Sequence, residues 1–288
     1  MADQGRSRQD IWASEASLSL LGPLRLVGKT GEDLTPKARK TRALLGIVAL
    51  ARGPVGRARL TDLLWGDRGE EQAKASLRQA LYELRDLVSA GLLTTSRESV
   101  APGPKRLWTD VGEFEGISDP AAVADACDEI QWPLLSDLDD VTPELDEWLR
   151  AERTRVSAQV LAKGAESAES ALEAHDAASA RRIADALERI DPLDERAARA
   201  GVRADIALDD RAGAHRRLER LERHLRDELG LEPSPNTRAL LAETLAPKPK
   251  TQPAAKEGAK VVAPSPAKPW FVPAIAIVLL AVAAAFYF

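Results

Sequence analysis

The stretch from residue 143 to residue 246 constrains the fold most, because it is rich in alanine, glutamate and arginine and has helical periodicity. Proline, which breaks helices, occurs in it only at Pro143, Pro192, Pro233 and Pro235. The whole chain of 288 residues has only 12 aromatic residues and 18 glycines, a composition that disfavours a large β-sheet. We therefore predict a mainly α-helical protein.

A repeat is visible inside this stretch. The sequence from Ala178 aligns with the sequence from Ala212 at an offset of 34 residues, but Ile183 matches Leu218 only after a slip of one residue. A 34-residue period is typical of tetratricopeptide repeats, in which helical hairpins stack on their neighbours. We therefore predict a tetratricopeptide-like α-helical domain over residues 143–246. Chance similarity in a biased composition is the alternative.

The first hundred residues show a different order of elements. Apolar patterning predicts three helices, preceded by strand-like residues and followed by a β-hairpin. The predicted elements are strand-like residues at 18–27 with a Gly-Pro interruption, helices at 37–51, 57–65 and 70–88, and hairpin strands at 92–96 and 106–109 with a turn at 102–104. This order is typical of a winged helix-turn-helix domain with short β-strands.

The third predicted helix is the candidate DNA reader. Its predicted buried stripe contains Leu77, Leu81, Leu84 and Val88. The opposite face carries groups that suit guanine O6 and N7, adenine N6 and N7, and phosphate oxygens. These candidate DNA-binding residues are Lys74, Arg78, Gln79, Tyr82 and Arg85. Further candidates for phosphate contacts are Arg57 and Arg59 at the start of the second helix, and Lys105 and Arg106 in the wing. A solvated helix face is the alternative.

Charge is distributed unevenly along the chain. Residues 1–110 carry 18 basic and 13 acidic side chains, residues 111–246 carry 17 and 31, and residues 247–288 carry 5 and 1. A basic head suits a polyanion such as double-stranded DNA, and an acidic middle suits a soluble protein surface. The sequence therefore predicts parts with different partners.

Specific stretches of the head resemble a known family. LLGPLRLV, KARKTRALLGIVALARGPVGRARLTDLLWGD and ASLRQALYELRDL are similar to the DNA-binding domain of the Streptomyces antibiotic regulatory protein (SARP) family, which carries an OmpR-like winged helix. The resemblance covers residues 18–115 and implies transcription control through the reader positions named above. The chain departs from the family at Glu83 and Asp86, where members often carry basic residues. We expect this departure to lower the DNA affinity unless several heads bind together.

The middle of the chain resembles a second domain of the same regulators. EWLRAERTRV and DELGLEPSPNTRAL are similar to the bacterial transcriptional activator domain that follows their winged helix. This resemblance implies a tetratricopeptide-like fold that acts through protein contacts. The expected contacts are self-association, or recruitment of RNA polymerase or a signalling partner. Together the two resemblances cover residues 18–245.

The ends of the chain predict its location. The N-terminus lacks the apolar core of a secretory signal, so residues 1–16 are predicted to be a disordered tail in the cytoplasm. Residues 271–288 carry no charge and would span about 27 Å as a helix, close to the ~30 Å hydrocarbon core of a bilayer. The five lysines of residues 247–269 place that side in the cytoplasm. We predict a single transmembrane helix at 270–288 in the bacterial inner membrane; a buried core helix is the alternative.

No constellation typical of catalysis or metal binding is evident. GPLRLVGKT is one residue longer than a P-loop, and no predicted helix follows it directly. His215 and His224 lie nine residues apart, on opposite sides of a helix, and His175 is more distant. Cys127 lacks an HxE or CxxC partner. We therefore expect no cofactor, no metal and no enzymatic activity.

The sequence thus predicts a DNA-binding transcription regulator tethered to the inner membrane. Its predicted parts are a tail (1–16), a winged helix (17–115), a connector (116–142), the tetratricopeptide-like activator domain (143–246), a Pro/Ala/Lys-rich linker (247–269) and the transmembrane helix (270–288). The alternative is a membrane-anchored adaptor whose winged helix binds protein and not DNA. Salt separates the two, because contacts with several phosphates make DNA affinity fall steeply as salt rises.

Overall fold

The computed structural model describes residues 16–87, 93–103 and 107–245. Three helices and six short strands form its N-terminal part. Its elements are β1 (Ala16–Ser19), β2 (Arg25–Gly28), α1 (Arg39–Leu50), β3 (Val55–Gly56), α2 (Arg57–Trp65), α3 (Glu70–Leu87), β4 (Leu93–Thr95), β5 (Ser99–Pro102) and β6 (Leu107–Thr109). The three predicted helices are confirmed. They could be predicted because an apolar stripe with a 3.6-residue period is a local signal in the sequence.

The strands form two three-stranded sheets. In the first sheet, β1 lies between β2 and β6, antiparallel to β2 and parallel to β6. In the second sheet, β5 lies between β3 and β4 and is antiparallel to both. The strand-like residues predicted at 18–27 therefore belong to a hairpin of β1 and β2, which is interrupted where the sequence has Gly-Pro. Its bend contains Gly22, whose φ of 116° is a conformation that glycine adopts readily.

The wing differs from its prediction. Its hairpin joins β4 to β5 through a turn at residues 96–98, and the Oγ of Ser96 accepts hydrogen bonds from the N–H groups of Glu98 and Ser99 at 3.2 and 2.9 Å. Because these hydrogen bonds close the turn, the second wing strand, β5, begins directly after Glu98. The predicted pairing of a strand at 106–109 with the first wing strand is wrong, because β6 pairs with β1 in the other sheet.

Helices make up the rest of the described chain. They are α4 (Asp110–Gly116), α5 (Pro120–Glu129), α6 (Pro143–Glu173), α7 (Ala177–Ile190), α8 (Glu195–Ala207), α9 (Arg211–His224), a π-helical segment (Leu225–Leu229) and α10 (Pro235–Leu245). α7 and α9 begin 34 residues apart, as the repeat predicts. Asp176 caps α7 and Asp210 caps α9, each accepting a backbone N–H three residues on. The first helical hairpin, α6–α7, therefore recurs as a second hairpin, α8–α9.

The predicted connector is a packed part of the fold. It contains α5 and a segment of residues 130–142, here called the strap, which contacts the β1–β2 hairpin, α1, α2 and α6. Leu134, Leu135 and Leu138 of the strap are fully buried. The N–H of Leu135 donates a hydrogen bond to the carbonyl oxygen of Leu20 at 2.9 Å. The strap therefore adds both apolar area and backbone hydrogen bonds to the head.

Polar contacts hold the strap at two further points. Asp137 accepts a hydrogen bond from the N–H of Leu24 at 2.8 Å, and its other carboxylate oxygen lies 2.7 Å from Nε of Arg42. At the far end, Oγ1 of Thr142 donates to the carbonyl oxygen of Leu63 on α2 at 2.6 Å and also caps α6. One apolar core continues from the winged helix into the repeat helices.

The described ranges contain no helix that is both long and apolar enough to cross a membrane. The predicted transmembrane helix at 270–288, the linker at 247–269 and residues 1–15 of the tail lie outside these ranges. Their structures stay predictions.

The second helical hairpin buries charges at positions where the first buries apolar groups. Ile183 on α7 is fully buried, and the residue 34 positions later is Arg217 on α9, which is 4% exposed. Ala171 on α6 is also fully buried, and its counterpart is Asp205 on α8, which is 1% exposed. The failed match at Ile183 in the sequence alignment has its origin here, because the repeat places an arginine at an apolar position.

Three carboxylates hold Arg217 in this position. Its guanidinium lies 3.1 Å from Asp205, 2.6 Å from Asp185 and in contact with Glu188. Burial alone would lower the pKa of Arg217. The charge and hydrogen bond of Glu188, together with the other two carboxylates, outweigh burial and raise this pKa. Gly201 provides the space, because a Cβ there would lie 2.6 Å from the guanidinium. One side chain thus joins α7, α8 and α9.

We predict that Arg217→Ile lowers the free energy of unfolding by up to about 3–5 kcal/mol, because the buried Asp205 loses one of its two arginine partners and keeps only Arg181, 3.1 Å away. The double variant Arg217→Ile with Asp205→Ala recreates the apolar pair of the first hairpin, and it should recover most of that loss. Urea denaturation followed by circular dichroism measures both values. A double variant that is no more stable than the single variant would contradict this account.

Candidate nucleic-acid interface

One apolar face anchors α3 against α1 and α2. Its buried residues are Ala73, Leu77, Ala80 and Leu84. Leu81 of the predicted stripe is half-buried, and Val88 lies outside the described residues. Because this face is packed, the opposite face of the helix is turned to solvent.

The five predicted reader residues share the exposed face of α3. Lys74, Arg78, Gln79, Tyr82 and Arg85 are all exposed. From Lys74 to Arg85 they extend along about 16 Å of helix at ~1.5 Å per residue. The fold therefore brings these residues together, and their contact with DNA stays a prediction.

Lys74 differs from the two arginines of this face, because it forms ion pairs with acidic neighbours on the same helix. Its Nζ lies 2.7 Å from Oε1 of Glu70 and 3.2 Å from Oε1 of Glu71. Hydrogen bonds with Glu70 and then Glu71 raise the pKa of Lys74. Both glutamates stand in the first turn of α3, where the helix dipole favours negative charge.

The two predicted phosphate ligands of α2 have different surroundings. Arg57 is half-buried, and its Nε donates a hydrogen bond to the carbonyl oxygen of Ser96 at 2.9 Å. Its backbone N–H donates to the carbonyl oxygen of Glu98 at 2.8 Å. Arg59 is exposed. Arg57 therefore fastens the wing turn to α2, whereas Arg59 is turned to solvent.

A cation at the tip of the wing is not among the residues predicted from the sequence. Arg97 lies in the turn between β4 and β5 and is exposed. The polar run from Ser96 to Ser99, directly before buried Val100, is the signal that could have placed this turn. The predicted wing residues Lys105 and Arg106 lie outside the described residues.

The two acidic departures from the family pattern also differ. Glu83 is half-buried, and its Oε2 accepts a hydrogen bond from Oγ1 of Thr41 on α1 at 2.8 Å. Its charge is used to join α3 to α1. Asp86 is exposed and remains the negative group at the C-terminal end of the reader face.

Two concave sites border the head. A groove of about 800 Å³ lies along one flank of α3, lined also by the start of α1 and by Asp140 and Val141 of the strap. A smaller cavity of about 150 Å³ lies between the first sheet, α4 and α5, where Trp108 and Arg25 line it. Within the described ranges, no group of three or more His, Cys, Asp or Glu side chains is placed to hold a metal ion.

Cys127 and the P-loop-like segment lie in surroundings that do not suit catalysis or phosphate binding. Burial, with a contribution from the charge of Asp128, raises the pKa of the Cys127 thiol to about 12. The thiol is therefore protonated at neutral pH and is a poor nucleophile. The P-loop-like GPLRLVGKT runs through β2, and the next helix, α1, begins only at Arg39, so it lacks the loop-to-helix geometry that cradles phosphate.

The second half of the described chain matches a known family model. Residues 119–245 match the model described as the bacterial transcriptional activator domain. This match confirms the second resemblance in the sequence. The matched residues begin inside the predicted connector, so they include α5 and the strap as well as the repeat helices.

A solved structure shares the fold. Mycobacterium tuberculosis EmbR, solved in complex with a low affinity phosphopeptide, is 24% identical and has a TM-score of 0.61. The alignment covers 80% of this chain and 65% of the EmbR chain. This chain therefore spans about two-thirds of the length of the protein it resembles. A search of the curated proteins gave no match.

We predict that Arg57→Ala lowers the free energy of unfolding by about 1–2 kcal/mol, because the charged hydrogen bond that holds the wing turn is lost. Arg59→Ala removes the same charge from the same helix and should change stability by less than about 0.5 kcal/mol. Urea denaturation of both variants makes the comparison. Equal losses would mean that Arg57 does not fasten the wing.

Proposed function

We propose that this protein is a transcription regulator whose winged helix binds double-stranded DNA through α3 and whose activator domain contacts a protein. The exposed cationic face of α3 is the observation that carries the proposal. Arg78 and Arg85 can each present a guanidinium fork to guanine O6 and N7, and Gln79 suits adenine N6 and N7. An α-helix fits the major groove, which is about 12 Å wide.

The distribution of charge supports this orientation. Residues 1–110 carry more basic than acidic side chains, whereas residues 111–246 carry 31 acidic and 17 basic ones. Phosphates attract the first part and repel the second, so the head approaches DNA first. Arg59 on α2 and Arg97 in the wing turn are exposed and suit backbone phosphates, contacts that fix register without reading sequence.

The activator domain is proposed to act by protein contact. Its stacked helices offer an extended surface of the kind that helical repeats use for partners. The candidate contacts through residues 143–246 are self-association, RNA polymerase or a signalling partner. The proposal includes no catalytic step and no cofactor.

We propose further that residues 270–288 anchor the protein in the inner membrane, with the other domains in the cytoplasm. An uncharged segment of this length can cross the hydrocarbon core. The lysines at 248, 250, 256, 260 and 268 precede it, and they favour the cytoplasmic side. Membrane tethering would restrict the head to DNA near the membrane.

A second candidate function is a membrane-anchored adaptor whose winged helix does not bind DNA. The acidic side chains of α3 favour it, because Glu70, Glu71, Glu83 and Asp86 outnumber the basic Lys74, Arg78 and Arg85. Glu83 is used within the fold. The adaptor predicts no DNA affinity even at low salt.

We predict that Arg78→Ala weakens binding to a selected operator by about 1–3 kcal/mol, which is roughly 5- to 150-fold, if Arg78 reads a base. Arg150→Ala, an exposed arginine of α6, removes the same charge from a different helix, in the activator domain, and serves as the control. Fluorescence anisotropy at several salt concentrations measures both affinities. Equal effects would argue against Arg78 as a reader, and no binding at low salt would favour the adaptor.

We predict that the full chain sediments with membranes, resists a high-salt wash and is released by detergent. A chain ending at Pro269 should stay in the soluble fraction. Leu279→Asp places a charge in the middle of the apolar segment, at a cost of about 2.5–3.5 kcal/mol for insertion, and should weaken the membrane association. Immunoblots of the fractions measure all three. A full chain that is soluble without detergent would refute the anchor.

A further inference from the structure

A carboxylate stands among the proposed readers on α3. Glu71 precedes Lys74 by three residues, Arg78 by seven and Tyr82 by eleven. With about 3.6 residues per turn, spacings of seven and eleven place Glu71, Arg78 and Tyr82 in one line along the helix. The side chain of Glu71 is 84% exposed. It therefore projects from the same face as the arginines that are proposed to read bases.

Glu70 provides a natural comparison, because it faces another direction. It precedes Leu77 by seven residues and Leu81 by eleven. Leu77 is buried and Leu81 is half-buried, so Glu70 stands at the border of the packed face, although it is 81% exposed. The two glutamates share a charge and a helical turn, but only Glu71 is aligned with the readers.

Lys74 holds both carboxylates and leaves Glu71 the freer one. Its Nζ lies 2.7 Å from Glu70 and 3.2 Å from Glu71. A hydrogen bond with Lys74 lowers the pKa of Glu70. The longer contact uses only Oε1 of Glu71. Its other oxygen can accept a hydrogen bond from a ligand in front of the helix.

The major groove makes such an acceptor selective. Phosphates repel a carboxylate, and guanine O6 and N7 and thymine O4 are themselves acceptors. The N4 amine of cytosine is a donor, and Glu or Asp accepts from it. Adenine also offers a donor, its N6 amine, but the acceptor N7 beside that amine repels a carboxylate. A glutamate on a reader face therefore binds most favourably where the sequence offers cytosine in front of it, and it disfavours guanine and thymine.

On the basis of the proposed function, we infer that Glu71 is a specificity-determining residue that accepts a hydrogen bond from a cytosine N4 amine. Seven residues of helix separate Glu71 from Arg78, which is about 10.5 Å at ~1.5 Å per residue. This distance corresponds to about three base-pair steps of ~3.4 Å. The cytosine therefore lies about three base pairs from the base that Arg78 contacts.

The test is a selection of bound duplexes from a random pool, with the full chain in detergent and three matched proteins: wild type, Glu71→Gln and Glu70→Gln. The wild type should select cytosine at one position, and Arg78→Ala should remove a preference about three base pairs away. In Glu71→Gln the cytosine preference should fall about fivefold or more and move toward adenine, because glutamine binds adenine N6 and N7.

Glu70→Gln is the control for charge. It removes the same charge from the same turn, so it should strengthen binding to all duplexes by a similar factor and keep the cytosine preference. Glu71→Ala is a second variant, which should lose the cytosine preference without gaining one for adenine. Thermal unfolding of each variant verifies that the folds are equally intact.

Different failures have different meanings. If Glu71→Gln and Glu70→Gln strengthen binding alike and leave the selected sequence unchanged, Glu71 contributes only charge and the inference is overturned, while the proposed function stands. If the wild type binds no duplex in a salt-dependent way, both the inference and the proposed DNA-binding function are overturned.

Discussion

The strap holds the two halves of the described chain in one core, and the position of the reader helix depends on it. Its leucines fill the space beside the β1–β2 hairpin, and Thr142 joins the end of α2 to the start of α6 through a single hydroxyl group. Because α2 packs on α3, the same contacts support the helix that carries the cationic face. A winged helix without the strap would leave exposed the surface that these leucines cover and the carbonyl oxygens of Leu20 and Gly22 in the hairpin.

This arrangement gives the charge pattern a physical role. The basic side chains of α3 face away from the apolar core, and the acidic excess lies in the following helices. Buried charges appear inside the repeat as well, but there they are neutralised by pairing, as Arg217 is by Asp185, Glu188 and Asp205. Charges that pair serve the fold, and the exposed arginines of α3 are available for a ligand.

Local patterns could be predicted from the sequence, and non-local contacts could not. The ends of α1, α2 and α3 follow from apolar periodicity and from glycine or proline at their borders. The partner of β6 could not be predicted, because it is β1, some 90 residues away, and short strands carry no signal for register. Glu83 looked like a negative group beside the groove, since its hydrogen bond with Thr41 on another helix is invisible in the sequence.

The candidate site was affected in the same way. The candidate reader residues could be grouped from the sequence because one helix carries all of them. The wing cation Arg97 was missed because the wing strands were paired incorrectly, and the role of Arg57 in holding the wing turn appears only in three dimensions. The sequence alignment showed that Ile183 has no apolar counterpart 34 residues later. The burial of Arg217, which explains this mismatch, could not be seen in the sequence.

Hydroxyl-radical footprinting of the side chains, read by mass spectrometry, tests the central claim most directly. Tyr82 on α3 is 55% exposed and Leu231 beyond α9 is 57% exposed, so both should be oxidised in the free protein. A saturating operator duplex should protect Tyr82 and leave Leu231 unchanged, because α3 is proposed to enter the major groove while the acidic domain stays away from DNA. Oxidation of Tyr82 at an unchanged rate in the complex would contradict the account.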